Sequence, residues 1–109
     1  MVHVTDGDGT ISSLVASEVA MTRAVNDITK EARWCHGVNL DFEGPGYQDS
    51  GEQLPIVQGR FTRFMGLLST QLKTAGLNLT LTLHAPNNAY KGYDYKAAGE
   101  IADRIIIMA

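Results

Sequence analysis

At 109 residues, with 44% hydrophobic and 19% charged side chains, the chain has ordinary globular composition. A net charge of −3 gives no sign of a nucleic-acid or anionic-membrane partner, and no apolar run approaches the ~20 residues of a membrane span. The start, Met1-Val2-His3-Val4-Thr5-Asp6, lacks the basic and apolar regions of a signal peptide, and the lone Cys35 excludes a disulfide framework and a cysteine-based zinc site.

Taken in order, Val2–Thr5 reads as a short strand, followed by the turn Asp6-Gly7-Asp8-Gly9. Ser12 or Ser13 is placed to cap a helix running to about Arg33, with Leu14, Val15, Val19, Met21, Val25 and Ile28 as its apolar stripe. Gly37 to Glu43 is a strand ended by Gly44-Pro45-Gly46. A polar loop leads to a second helix from about Gln53 to Ala75, with Pro55 in its first turn and Gly76 at its C-cap. Leu77 to Leu83 alternates strictly and predicts another strand, and His84–Gly92 is a loop. Asp94 is placed to cap a short helix to Ala102, before the apolar strand Ile105-Ile106-Ile107-Met108, which reads as buried.

The order β-α-β-α-β-α-β predicts an α/β fold with four parallel strands, three connecting helices and right-handed crossovers. Strand starts near residues 2, 37, 77 and 105 give spacings of 35, 40 and 28, and a (β/α)8 TIM barrel of ~250 residues allots about 31 to each unit. The pattern therefore reads as a partial TIM barrel, with no linker or second domain inside residues 1–109.

The strand Gly37–Glu43 carries the chemistry. Val38, Leu40 and Phe42 share one face, and Asn39, Asp41 and Glu43 share the other, spaced roughly 6–7 Å apart. Glu43 comes last, at the C-terminal lip, where parallel α/β proteins bind ligands. An edge strand with one solvated face explains the same alternation. In a sheet covered on both faces, however, carboxylates are costly to bury unless hydrogen-bonded or functional. On the next strand, Asn78, Thr80, Thr82 and His84 share a face, which points Asn78 and Thr80 to an interior hydrogen-bonded network.

The octet His36-Gly37-Val38-Asn39-Leu40-Asp41-Phe42-Glu43 resembles the Asp-Gly-x-Asp-x-Asp-x-Glu signature of family 18 glycoside hydrolases, which are chitinase-like (β/α)8 barrels. His36 replaces the first aspartate, and Phe42 stands where many chitinases have tryptophan. The Asn39 and Phe42 variants are similar to the branch of spore-cortex peptidoglycan hydrolases. Gly92-Tyr93-Asp94-Tyr95 through Asp103 resembles the helix before that branch's sixth strand. Ile107-Met108-Ala109 is similar to the start of its Met-x-Tyr-Asp motif. The resemblance spans essentially the whole chain, as strands three to six.

By that resemblance Glu43 is the catalytic acid, Asp41 orients the substrate's 2-acetamido group, and Asn39 supports Asp41. The reaction is substrate-assisted and retaining, and it needs Glu43 protonated, a form that a neighbouring Asp41 carboxylate favours. The implied partner is an oligo- or polysaccharide containing N-acetylglucosamine, chitin or peptidoglycan, with no metal or organic cofactor. The implied location of the parent protein is extracellular or in the cell envelope. A glycan-binding module without catalysis is the rival reading, and Glu43 argues against it. Residues 1–109 are expected to be one piece of a single catalytic barrel. Half a barrel exposes two sheet edges, so the isolated piece is expected to be inactive.

Other residues are weighed individually. Asp6-Gly7-Asp8-Gly9 mimics the middle of a calcium loop, but Val4 and Val15 fall on two key ligand positions. A turn is the better reading, and Asp6 is within reach of a sugar at the lip. His84 is a substrate contact or a satisfied loop histidine. Tyr47, Tyr90 and Tyr93 lie in lip-side loops where rings stack on sugars, Tyr47 being the substrate-binding candidate. Trp34 is expected to pack, and Cys35 to be a small buried hydrophobe.

Overall fold

The computed structural model describes residues 2–5, 9–45, 51–86 and 91–108. Strands β1 (Val2–Thr5), β2 (Gly37–Glu43), β3 (Asn78–His84) and β4 (Arg104–Met108) alternate with helices α1 (Thr10–Val15), α2 (Glu18–Glu31), α3 (Gln53–Thr74) and α4 (Tyr95–Ile101). Parallel ladders join β1 to β2, β2 to β3 and β3 to β4, giving the sheet order β1-β2-β3-β4. The strands thus follow one another across the sheet in chain order, with a helical crossover between each pair.

The first predicted helix is two helices, so among the described residues four rather than three helices connect the strands. Ser17, not Ser12 or Ser13, is the cap that matters. It is extended (φ −120°, ψ 116°), and its hydroxyl accepts a hydrogen bond from the Ala20 amide at 3.1 Å. The break shifts the apolar register. Ile11 and Val15 are buried on α1 and Met21 and Val25 on α2, while Val19 is 70% exposed.

The other helix signals act as read. Gly76 takes φ 74° just beyond α3, and the Leu77 amide reaches back to the Leu72 carbonyl at 2.8 Å. The Asp94 carboxylate caps α4 through the Ala97 amide at 3.0 Å.

The core lies between the sheet and α3. Leu40, Leu79, Leu81 and Leu83 are each about 1% exposed, as are Phe61, Phe64 and Leu68 or less. Phe42 stacks on Phe64 at 5.5 Å and on Phe61 at 6.1 Å between ring centroids. The Val38-Leu40-Phe42 face therefore meets the helices, which turns Asn39, Asp41 and Glu43 to the opposite side.

Four residues depart from expectation. Cys35 is exposed rather than buried. Trp34 is 85% exposed and lies beside the Arg33 guanidinium, 5.4 Å from its ring centroid, rather than in the core. Both sit in the turn between α2 and β2. Ile106 and Ile107 of β4 are 43% and 49% exposed, because β4 is an edge strand of this sheet with β3 on one side only.

Candidate functional site

The polar faces of β2 and β3 meet on one side of the sheet. The parallel register sets Asn39 beside Thr80, and on the other flank His3 beside Asp41 and Thr5 beside Glu43. Period-two alternation then brings Asn39, Asp41 and Glu43 alongside Thr80, Thr82 and His84.

Depth is graded along this face. Asp41 is 7% and Thr82 6% exposed, whereas Glu43 and His84 lie at the C-terminal ends of their strands and are half-buried. The Thr82 hydroxyl donates to Asn39 Oδ1 at 2.7 Å. Thr82 is thus a partner of Asn39 that the sequence reading did not assign, although it lay on the same face. His84 Nε2 stands 3.7 Å from Glu43 Oε2, with side-chain exposures of 19% and 30%. Of the candidate residues, the structure therefore gathers Asn39, Asp41, Glu43 and His84. Asp6 and Tyr47 lie outside the described residues, as does Tyr90.

Tyr93 departs from its expected place. It is 3% exposed and cannot offer a ring face to a sugar. Its ring packs against Phe61 at 6.0 Å and Tyr95 at 5.8 Å. Its hydroxyl donates to the Phe42 carbonyl at 2.8 Å and accepts a longer contact from the Gly44 amide at 3.4 Å. The segment before α4 is thereby fastened to the end of β2. Gly92 completes the fit, since a Cβ there would lie 1.8 Å from the Pro45 carbonyl oxygen. Tyr95 fastens β3 in the same way, its hydroxyl donating to the His84 carbonyl at 2.6 Å.

Burial pushes the Tyr93 phenol well above its ordinary value, because the phenolate would be desolvated. An acid whose folded value is raised stabilises the fold fully below its unfolded value near pH 10 and loses that contribution as pH climbs towards the folded value. Above pH 10, the stability of the wild type is therefore expected to fall more steeply than that of Tyr93→Phe, by an excess slope approaching about 1.4 kcal/mol per pH unit. Denaturant melts at pH 9, 10 and 11 measure it, and parallel curves for the two proteins would refute it.

No protein-family profile and no curated sequence matches the chain. Solved structures do match. The C-terminal domain of a protein named as a chitinase from Desulfitobacterium hafniense DCB-2 superimposes with a TM-score of 0.85 at 22% identity, over 98% of this chain and 32% of that one. A chitinase from Chromobacterium violaceum ATCC 12472 superimposes with a TM-score of 0.75 at 30% identity, over 98% of this chain and 35% of that one. The spore cortex-lytic enzyme SleL of Bacillus megaterium QM B1551 gives a TM-score of 0.71 at 21% identity, over 87% of this chain and 22% of that one. The chain thus spans about a third of the length of the two chitinase chains. The fold is that of one part of these chitinase barrels, which is the fold that the resemblance carried by the run from His36 to Glu43 implies.

Proposed function

We propose that the full-length protein hydrolyses β-1,4 glycosidic bonds next to N-acetylglucosamine, in chitin or peptidoglycan, and that residues 1–109 form the part of a single (β/α)8 barrel equivalent to strands three to six. One observation carries the reading: Glu43 stands half-exposed at the C-terminal lip of β2, and Asp41 lies buried one step behind it on the same face. An acid at the lip can reach a bound glycan, while a shielded carboxylate behind it can hold a polar group of the same sugar. Support comes from chitinases and a cortex-lytic enzyme sharing this fold.

In this reading protonated Glu43 gives its proton to the glycosidic oxygen as the bond to the anomeric carbon breaks. The substrate's own 2-acetamido carbonyl oxygen attacks that carbon from the opposite side and closes an oxazolinium ring. Asp41 orients the acetamido N–H and balances the positive charge that develops on the ring. Asn39, itself fixed by Thr82, supports Asp41. Glu43, now a carboxylate, takes a proton from the water that opens the ring, and the configuration is retained. Asp6, Tyr47 and His84 are proposed to line the sugar path; of these His84 sits beside Glu43.

The test uses the full-length protein and two oligosaccharides of equal length, one of N-acetylglucosamine and one of glucose. Cleavage of the first alone is expected, with the β-anomer appearing first by NMR, because only the first carries the acetamido nucleophile. Initial release of the α-anomer, or comparable cleavage of both substrates, would rule the mechanism out.

A further inference from the structure

The ladder between β2 and β3 pairs Gly37 through Leu40 of β2 and then stops. The backbone of Phe42 and Gly44 thus lies beyond that pairing, and buried backbone groups need partners. On this flank the partner is a side chain. The Tyr93 hydroxyl takes the Phe42 carbonyl at 2.8 Å and the Gly44 amide at 3.4 Å. Those two residues immediately flank Glu43. One phenolic oxygen therefore fixes the backbone as it enters and as it leaves the candidate acid.

Tyr93 is itself held on every side. Gln58 Nε2 on α3 donates to the Tyr93 carbonyl at 3.1 Å and to the Lys91 carbonyl at 3.4 Å. Gly92 approaches the Pro45 carbonyl too closely for any side chain. The Tyr93 ring is buried against Phe61, Tyr95 and, at 6.5 Å, His84. Gly44, with φ 72°, turns the chain away directly after Glu43. The β1 register, Thr5 beside Glu43, and the stacking of Phe42 on Phe61 and Phe64 hold the strand end from its other sides.

We infer that Tyr93 is a positioning residue for Glu43: its hydroxyl bridges Phe42 and Gly44 and so sets where the Glu43 carboxyl stands relative to the glycosidic oxygen. The inference rests on Glu43 being the acid. Proton transfer needs heavy atoms within hydrogen-bond reach, and a misplacement of about 1 Å can cost on the order of 10²-fold in rate. Tyr93 does not touch the sugar, so binding is left largely alone.

Tyr93→Phe in the full-length protein keeps the ring and removes the bridge. With an N-acetylglucosamine oligomer as substrate, kcat per folded molecule is expected to fall roughly 10- to 100-fold, with KM held within about twofold. A purely structural tyrosine would lower the melting temperature and leave kcat of the folded enzyme unchanged, and that result overturns the inference. Hydrogen exchange at the Gly44 amide gives a second readout that needs no variant. Slow exchange is expected in the wild type, and exchange at the rate of an open loop contradicts the bridge. A wild type that cleaves nothing, or a Glu43→Gln variant as active as the wild type, removes the acid reading itself. An active, Glu43-dependent enzyme indifferent to Tyr93→Phe removes the positioning role alone.

Discussion

Glu43→Gln in the full-length protein is expected to lower kcat on an N-acetylglucosamine oligomer by about 10²–10⁴-fold, with little change in KM. The amide matches the carboxyl in size and still accepts and donates hydrogen bonds, so the sugar is still bound. It has no acidic proton for the leaving oxygen and cannot afterwards act as a base towards water. The same substitution replaces the carboxyl 3.7 Å from His84 by an amide. This is a half-exposed contact, so its loss should move stability by no more than about 1 kcal/mol. Activity and stability therefore separate. Reducing-end release beside a thermal melt measures both, and a variant retaining more than about a tenth of wild-type kcat would contradict the acid role.

Phe64→Ala is expected to destabilise the fold by about 3–5 kcal/mol, the range for emptying a packed aromatic site. Phe64 is fully buried and stacks on Phe42 at 5.5 Å, with Phe61 at 6.5 Å. The cavity would open directly behind β2, between α3 and the strand whose other face carries Asp41 and Glu43. A domain has only about 5–15 kcal/mol of stability, so a large share is lost. Phe64→Leu retains most of the volume and should cost distinctly less. Urea titration of the two variants orders them, and equal midpoints would show that the aromatic stack is not what supports the strand.

Much of the fold was legible because the strands carry unambiguous period-two patterns. Leu79, Leu81 and Leu83 bury one face of β3, and the opposite face of β2 carries Asn39, Asp41 and Glu43 as the alternation requires. Gly76 and Asp94 end and start their helices for reasons of local backbone chemistry that survive into the tertiary structure. The break between α1 and α2 was obscured by competing hydroxyls. Ser12, Ser13 and Ser17 all carry hydroxyls able to cap a helix, and in the fold Ser17 caps α2 while Ile11, Val15, Met21 and Val25 join one core cluster. Composition likewise misplaced Trp34 and Cys35, which lie in the exposed turn between α2 and β2.

The site was legible along one strand and obscure between elements. The spacing of Asp41 and Glu43 is a property of β2 alone. The pairing of Asn39 with Thr82 and the approach of His84 to Glu43 depend on the register of β3, which the alternation allows but does not choose. Tyr93 was the hardest residue to read. In the sequence it is a loop aromatic beside a lip, which points to sugar stacking. In the fold its ring is buried and its hydroxyl works on backbone. Gly92, which lets that segment come so close to Pro45, was the one local sign of the contact.

The central claim is that the β2 lip is where a glycan is cut, and a structure of the full-length Glu43→Gln protein with an N-acetylglucosamine oligomer tests it most directly. The account predicts a glycosidic oxygen within about 3 Å of the side chain at position 43, with the 2-acetamido group of the adjoining sugar turned towards Asp41. An oligomer seated elsewhere on the protein, or lying across the lip with its acetamido group turned away from Asp41, would contradict it.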